Sequence, residues 1–234
     1  MKYHSGATVL YSALIVLTSA LLASCAIPMV PYRAVYEDPV NYVRLERDEA
    51  VLPEWPPSAH AHPKAMRAED VARILGGISV KEHRIWLQKW TQGEAPLMPA
   101  FHPEELALLS RQIAEAFALA QPDERVTFYL SQPQTSVKRV ITTGGLYIHG
   151  TELHFTLGNW QVLYGIPTYG MIYDRRYPMR PTAAKGFNLF FDPGEATVIQ
   201  QHSFLDTLLA NTKDELVIDL TKVFSAPIAS LAIP

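Results

Sequence analysis

From Tyr3 to Tyr32 the chain carries no Asp, Glu, Lys or Arg, and the apolar part of that run, Ala7 to Leu22, closes just before the only cysteine, Cys25. A run of this kind limits what the rest of the chain can be. A basic residue (Lys2), an apolar middle and small residues at the end (Ala23, Ser24) form the layout of a segment that directs export and is then cut away. The run is also long enough to span a bilayer, for which about 20 apolar residues suffice, so an uncleaved membrane helix is the competing reading. Pro28 and Pro31 follow closely, and they suit an exit from the membrane better than the interior of a spanning helix. Either way, whatever folds after Cys25 has no second cysteine and therefore no internal disulfide. Burial and hydrogen bonding must hold it.

The residues Leu22-Ala23-Ser24-Cys25 resemble the lipobox of bacterial lipoproteins. The resemblance covers about 25 residues and carries no information about the fold that follows. It implies that the Cys25 thiol receives a diacylglycerol, that residues 1–24 are removed as a signal peptide, and that the new amino group is acylated. Each buried CH₂ contributes about 0.8 kcal/mol, so two or three chains on one residue hold a protein on a membrane where a single chain binds only reversibly. Ala26 stands where Asp would imply retention at the inner membrane. The resemblance thus implies an outer-membrane anchor with the domain facing the periplasm.

Removing residues 1–24, whose only charge is Lys2, leaves 210 residues with 19 basic against 23 acidic side chains, a net charge near −4. That length suffices for one good core. The mild acidity excludes the strong basic stripe expected of a nucleic-acid partner. Residues 25–65 then read as the lipidated Cys25 followed by a proline-rich tether and arm, with Pro28, Pro31, Pro39, Pro53, Pro56, Pro57 and Pro63. Fully extended, such a segment reaches on the order of 120 Å. Tyr32, Tyr36, Tyr42, Val43, Leu45 and Trp55 are too apolar for a solvated linker, so the spacing predicts a loose tether to about residue 38 and then an arm laid on the domain.

Residues 66–234 read as a single α+β domain. A short helix is expected over 66–75, stopped by Gly76-Gly77, then a strand over 78–86 and a loop over 93–103. The clearest helix is 103–120: Pro103 suits its first turn, Glu104 and Glu105 sit at the positive end of its dipole, and Leu106, Leu109, Ile113, Phe117 and Ala120 form one stripe. Strands follow at 126–130, at 137–148 with a bulge or close approach at Gly144-Gly145, and at 153–157 across a tight turn at His149-Gly150. A further short strand is expected at 161–166, a polar loop at 174–186, short apolar runs at 187–191 and 196–200, a helical turn at 204–209, a final strand at 216–220 and a docked apolar tail at 228–233. The alternation predicts an antiparallel sheet of hairpins with the main helix on its apolar face and water on the other.

Three groups of side chains stand out. His149, Glu152 and His154 are a candidate metal set: positions 152 and 154 share a strand face, His149 lies across the turn, and imidazole with carboxylate suits zinc. The same residues read equally as the solvated face of a hairpin. His60 and His62 form a second pair that lacks a third ligand. Arg175, Arg176, Tyr177, Arg180 and Lys185, flanked by Tyr164, Tyr169 and Tyr173, make the best ligand surface, since guanidinium forks suit phosphate and carboxylate and tyrosines give flat contact area. Lipid headgroups, peptidoglycan or an acidic envelope protein would fit it. No P-loop, G-x-S-x-G, H-E-x-x-H or dinucleotide fingerprint occurs, and no cofactor is expected. The sequence therefore points to a membrane-anchored envelope lipoprotein that binds or scaffolds a partner protein or polymer, more readily than to an enzyme. An envelope hydrolase or metal-dependent enzyme with a dispersed site is the alternative.

Overall fold

Alternating runs of apolar and polar residues become strands in a computed structural model of the chain, which describes residues 30–51, 58–84, 86–135, 138–165, 175–182, 185–199 and 215–225, with the side chains of 164 and 165 left out. The lipobox and the segments 204–209 and 228–233 lie outside the described residues. By contacts the chain divides into two units, Met1–Val30 and Pro31–Pro234; only Val30 of the first is described. No helix among the described residues is long and apolar enough to cross a membrane.

The described strands are β1 (Tyr32–Glu37), β2 (Tyr42–Arg47), β3 (Ile78–Glu82), β4 (Leu97–Pro99), β5 (Glu124–Pro133), β6 (Lys138–His149), β7 (Glu152–Gly165), β8 (Phe187–Phe191) and β9 (Glu215–Asp219). The helices are α1 (Ala68–Gly76), α2 (Trp86–Gln92), α3 (Pro103–Leu119) and α4 (Leu220–Ser225). Six strands form one sheet in the order β1-β2-β5-β6-β7-β9, and three form a second in the order β4-β3-β8. Every described pairing is antiparallel. The fold is thus α+β, an antiparallel meander with a main helix on one face.

α3 begins where Pro103 follows His102, and Glu105 accepts the His102 backbone N–H at 2.8 Å. Its Leu109, Ile113 and Phe117 are buried, as are Val71, Ile74 and Leu75 of α1. α3 packs on the main sheet, α1 packs on α3 and β3, and both share one core with Val43, Leu45, Val126, Phe128, Leu146, Ile148, Leu153, Phe155 and Leu216. Phe101, Phe128 and Phe155 pack with ring centres 5.7 to 6.3 Å apart. Each fully buried ring or branched chain of this size contributes roughly 1.5–3 kcal/mol.

Four local expectations differ from the structure. Residues 32–47, read as tether and arm, are the hairpin β1–β2 at the edge of the main sheet. Val43 and Leu45 point into the core, and Arg33 at the start of β1 donates to both Glu124 carboxylate oxygens (2.9 and 2.6 Å) and to the Leu119 carbonyl (3.0 Å). The strand expected over 78–86 ends at Glu82, and Trp86 opens a two-turn helix instead. Three residues of the expected loop 93–103 pair with β3 as β4. The strand expected at 161–166 is the continuation of β7, which passes Gln161 at φ 48°. The bulge expected near Gly144 is present, with register shifts between Ile141 and Gly144.

The second face of the main sheet, expected to be wet, is largely covered. Arg44, Glu46, Thr127 and Thr143 are all under 5 % exposed. Residues 175–182 lie across part of this face because glycines leave room for them. A Cβ at Gly145 would stand 2.5 Å from Met179 Sδ, and one at Gly158 would stand 2.3 Å from the Pro178 carbonyl oxygen. Polar alternation alone reads as solvent exposure; here Thr143 donates to the Pro178 carbonyl of the covering chain (2.6 Å), and Arg44 lies over the rings of Tyr32 and Tyr42.

Candidate functional site

Tyr147 of β6 lies between two imidazoles on that second face. Its ring centre is 4.6 Å from His154, nearly parallel at 7°, and 4.3 Å from His60. Antiparallel pairing explains the first contact, since Tyr147 and His154 are directly opposed across β6 and β7. The second arises where β6 outruns β5. The last β5–β6 pair toward this end is Val126 with Leu146, so the edge of Ile148 is taken by residues 61–62. Ala61 N–H donates to the Ile148 carbonyl (2.7 Å), and His62 Nε2 accepts the Ile148 N–H (3.4 Å).

Each imidazole is backed by a carboxylate. His60 Nε2 is 3.0 Å from Asp48 Oδ2, whose other oxygen is 3.5 Å from Arg125. Burial pushes Asp48 up, but the His60 hydrogen bond and the Arg125 charge outweigh it and hold the carboxyl below its ordinary value. His154 Nδ1 lies 3.3 Å from Glu215 Oε1, out of line for a hydrogen bond. Glu215 also accepts from the Tyr147 hydroxyl, and burial together with that carboxylate raises the Tyr147 pKa. Glu46 next to them is raised by burial, against a hydrogen bond from Thr127 and the charges of Arg125 and Arg44. His62 stacks on Phe117 at 5.3 Å. Burial and the neighbouring His60 lower its pKa to about 4, which keeps Nε2 a neutral acceptor for Ile148.

The structure therefore joins the two histidine groups that the sequence presents separately. His60 and His154 flank the same tyrosine. Glu152 Oε2 is 4.0 Å from His154 Nε2, and His149, exposed, has its ring 6.4 Å from that of His154. Among the described residues no three His, Cys, Asp or Glu side chains converge closely enough to hold a metal ion. Nothing local marks Asp48, Tyr147 and Glu215 as a group; the fold brings them together from separate parts of the chain.

The basic loop is pinned rather than free-standing. The Tyr42 hydroxyl donates to the Arg175 carbonyl (2.5 Å), and the Arg175 guanidinium donates to the carbonyls of Asp38 and Pro39 (3.2 Å each). Asn159, 2 % exposed, is the main clasp. Its amide donates to Thr143 Oγ1 (2.9 Å) and the Arg180 carbonyl (3.0 Å), and its oxygen accepts from Thr182 N–H and Oγ1 (2.9 Å each). Tyr177 is buried, with the exposed Arg176 and Arg180 5.6 and 4.6 Å from its ring. Lys185 lines a hollow of about 250 Å³ with Glu82, His83, Asn159 and Phe187.

Outside these groups three exposed large apolar side chains follow one another on α2. Trp86 is 77 %, Trp90 81 % and Leu87 47 % exposed, and the helix buries none of its residues. No family model matches the chain, and no curated protein or solved structure matches it either.

Proposed function

We propose that the chain is a cell-envelope lipoprotein, anchored through Cys25, whose Pro31–Pro234 unit is a binding or scaffold module rather than a catalyst. The observation that carries the reading is the contrast between two sets of side chains. The carboxylates at the centre of the candidate site are committed to neighbours: Asp48 to His60 and Arg125, Glu215 to the Tyr147 hydroxyl. The side chains suited to contact, Trp86 and Trp90, face outward on a helix that buries nothing. Tryptophan is the residue most enriched where binding energy concentrates, and a monomer that needs no partner rarely leaves two of them exposed side by side.

The anchor is tested by expressing the full-length protein in a Gram-negative host with labelled palmitate and with globomycin, which blocks lipoprotein signal cleavage. Wild type takes up the label and accumulates an uncleaved lipidated precursor under the inhibitor, and Cys25→Ser loses the label. A protein that takes up no label, or keeps it with Ser at 25, overturns the reading.

A further inference from the structure

We infer that the Trp86–Trp90 face is a membrane-docking patch that seats the anchored domain on the headgroup region of the bilayer from which it is tethered. This rests on the anchor proposed above and specifies what the contact face meets.

The argument starts from α2 itself. Seven residues are too few for a helix to persist in water without packing, yet α2 buries none of its side chains. At 100° per residue Trp86, Leu87 and Trp90 share one face, with Lys89 at its border. What holds α2 is its base. Glu94 bridges Lys81 of β3 (3.0 Å) and Lys89 of α2 (3.3 Å), and Arg84 donates to the carbonyls of Gln92 and Gly93 (3.0 Å each). The helix is therefore fixed by its polar side with its apolar side turned out.

The small sheet carries exposed apolar side chains of its own. Lys81 is directly opposite Leu97, and Ser79 is opposite Phe190. Opposed residues project from one face, so Leu97 (57 % exposed) and Phe190 (42 %) share a face with Lys81. Two tryptophans and a leucine on one exposed helix face have the composition of surfaces that lie in a membrane interface, where the indole has an apolar body and a polar tip.

Chain length decides between lipid and the other occupants. Cys25 and Pro31 are six residues apart, a covalent reach of about 20 Å whatever their conformation. The six-stranded sheet is itself only about 24 Å across its strands. A domain so held stays within one domain width of the bilayer surface. A two-turn patch would bind lipid weakly as a free protein. On a short tether it meets the membrane at an effective concentration in the millimolar range, so weak affinity is enough. A soluble partner has no such advantage.

The test uses full-length lipidated protein in vesicles of phosphatidylethanolamine and phosphatidylglycerol, a fraction of the lipid being brominated on the acyl chains near the headgroup. Trp86 and Trp90 are two of four tryptophans, so interfacial seating quenches up to about half of the emission and shields it from aqueous iodide. That lipid quenching disappears in Trp86→Phe/Trp90→Phe, which keeps its palmitate label. A palmitate-labelled wild type that is open to iodide and not quenched by bromolipid, or that cross-links through this face to a second copy or another protein, overturns the docking inference and leaves the anchor standing. A protein without palmitate label overturns both.

Discussion

His62 Nε2 accepts the backbone N–H of Ile148, an arrangement open only to a neutral imidazole. His62 titrates near 4 in the folded chain, against about 6.5 in the unfolded one. Between those values the unfolded state takes up a proton that the folded state refuses, so stability is complete above about pH 6.5 and falls as pH drops toward 4. The loss attributable to this residue is up to ~3 kcal/mol. Urea unfolding across a pH series should show it in wild type and lose that part in His62→Gln, whose amide oxygen can accept the same N–H. Parallel pH profiles would remove His62 as the source. His60 and Glu124 also act on His62, and both are retained in the variant.

The loop over the second sheet face depends on two missing side chains to different degrees. Gly158→Ala drives a methyl toward a backbone carbonyl and should cost about 2–3 kcal/mol. Gly145→Ala meets mainly the end of the flexible Met179 side chain and should cost less. Thermal unfolding of the two variants gives the order directly, and the reverse order would mean that the 178–179 backbone yields more easily than Met179.

Asn159→Ala removes four hydrogen bonds at once and takes the side-chain partner from the Thr182 N–H and the Arg180 carbonyl, while Thr143 keeps its bond to the Pro178 carbonyl. The expected loss is about 2–4 kcal/mol. Trypsin should then cut after Arg175 or Arg176 well before the rest of the domain unfolds. Unchanged protection of these sites would show that glycine packing alone holds the loop.

Asp48→Ala leaves Arg125 and His60 facing one another without the carboxylate between them, and about 3 kcal/mol should be lost. Asp48→Ala/Arg125→Met removes both charges and should recover part of that. A double-mutant cycle on unfolding free energies measures the coupling, and strict additivity would mean that the 3.5 Å contact contributes nothing.

The main helix was readable from residues 103–120 because three independent signals agree there: a proline at the start, acids in the first turn and a stripe that the core needs. The hairpin at 149–150 was equally plain, since alternation on both sides of a turn has one reading. α2 was not, because a helix that buries nothing has no core-facing stripe, and the Ile78–Val80 alternation runs straight into it. For β1 and β2 the apolar Val43 and Leu45 predict contact with the domain, but the surrounding prolines mask the alternation that would mark two paired strands. The candidate site was visible only as loose histidines. Residues 48, 60, 147, 154 and 215 become neighbours through register, which no local pattern encodes.

The contact of Arg33 with Glu124 and Leu119 has a mechanical meaning for a domain held by its N-terminal end. Tension from Cys25 would arrive at Pro31 and load β1 from its tip, where an edge strand peels one pair at a time, Tyr32 from Glu46 and then Arg33 from Leu45. Arg33 bonds past β2, to the start of β5 and the last turn of α3. A pull on the tether is thereby spread to a central strand and the main helix before the hairpin can unzip. Arg33→Ala should leave the unloaded fold nearly intact and lower the force at which it first gives way.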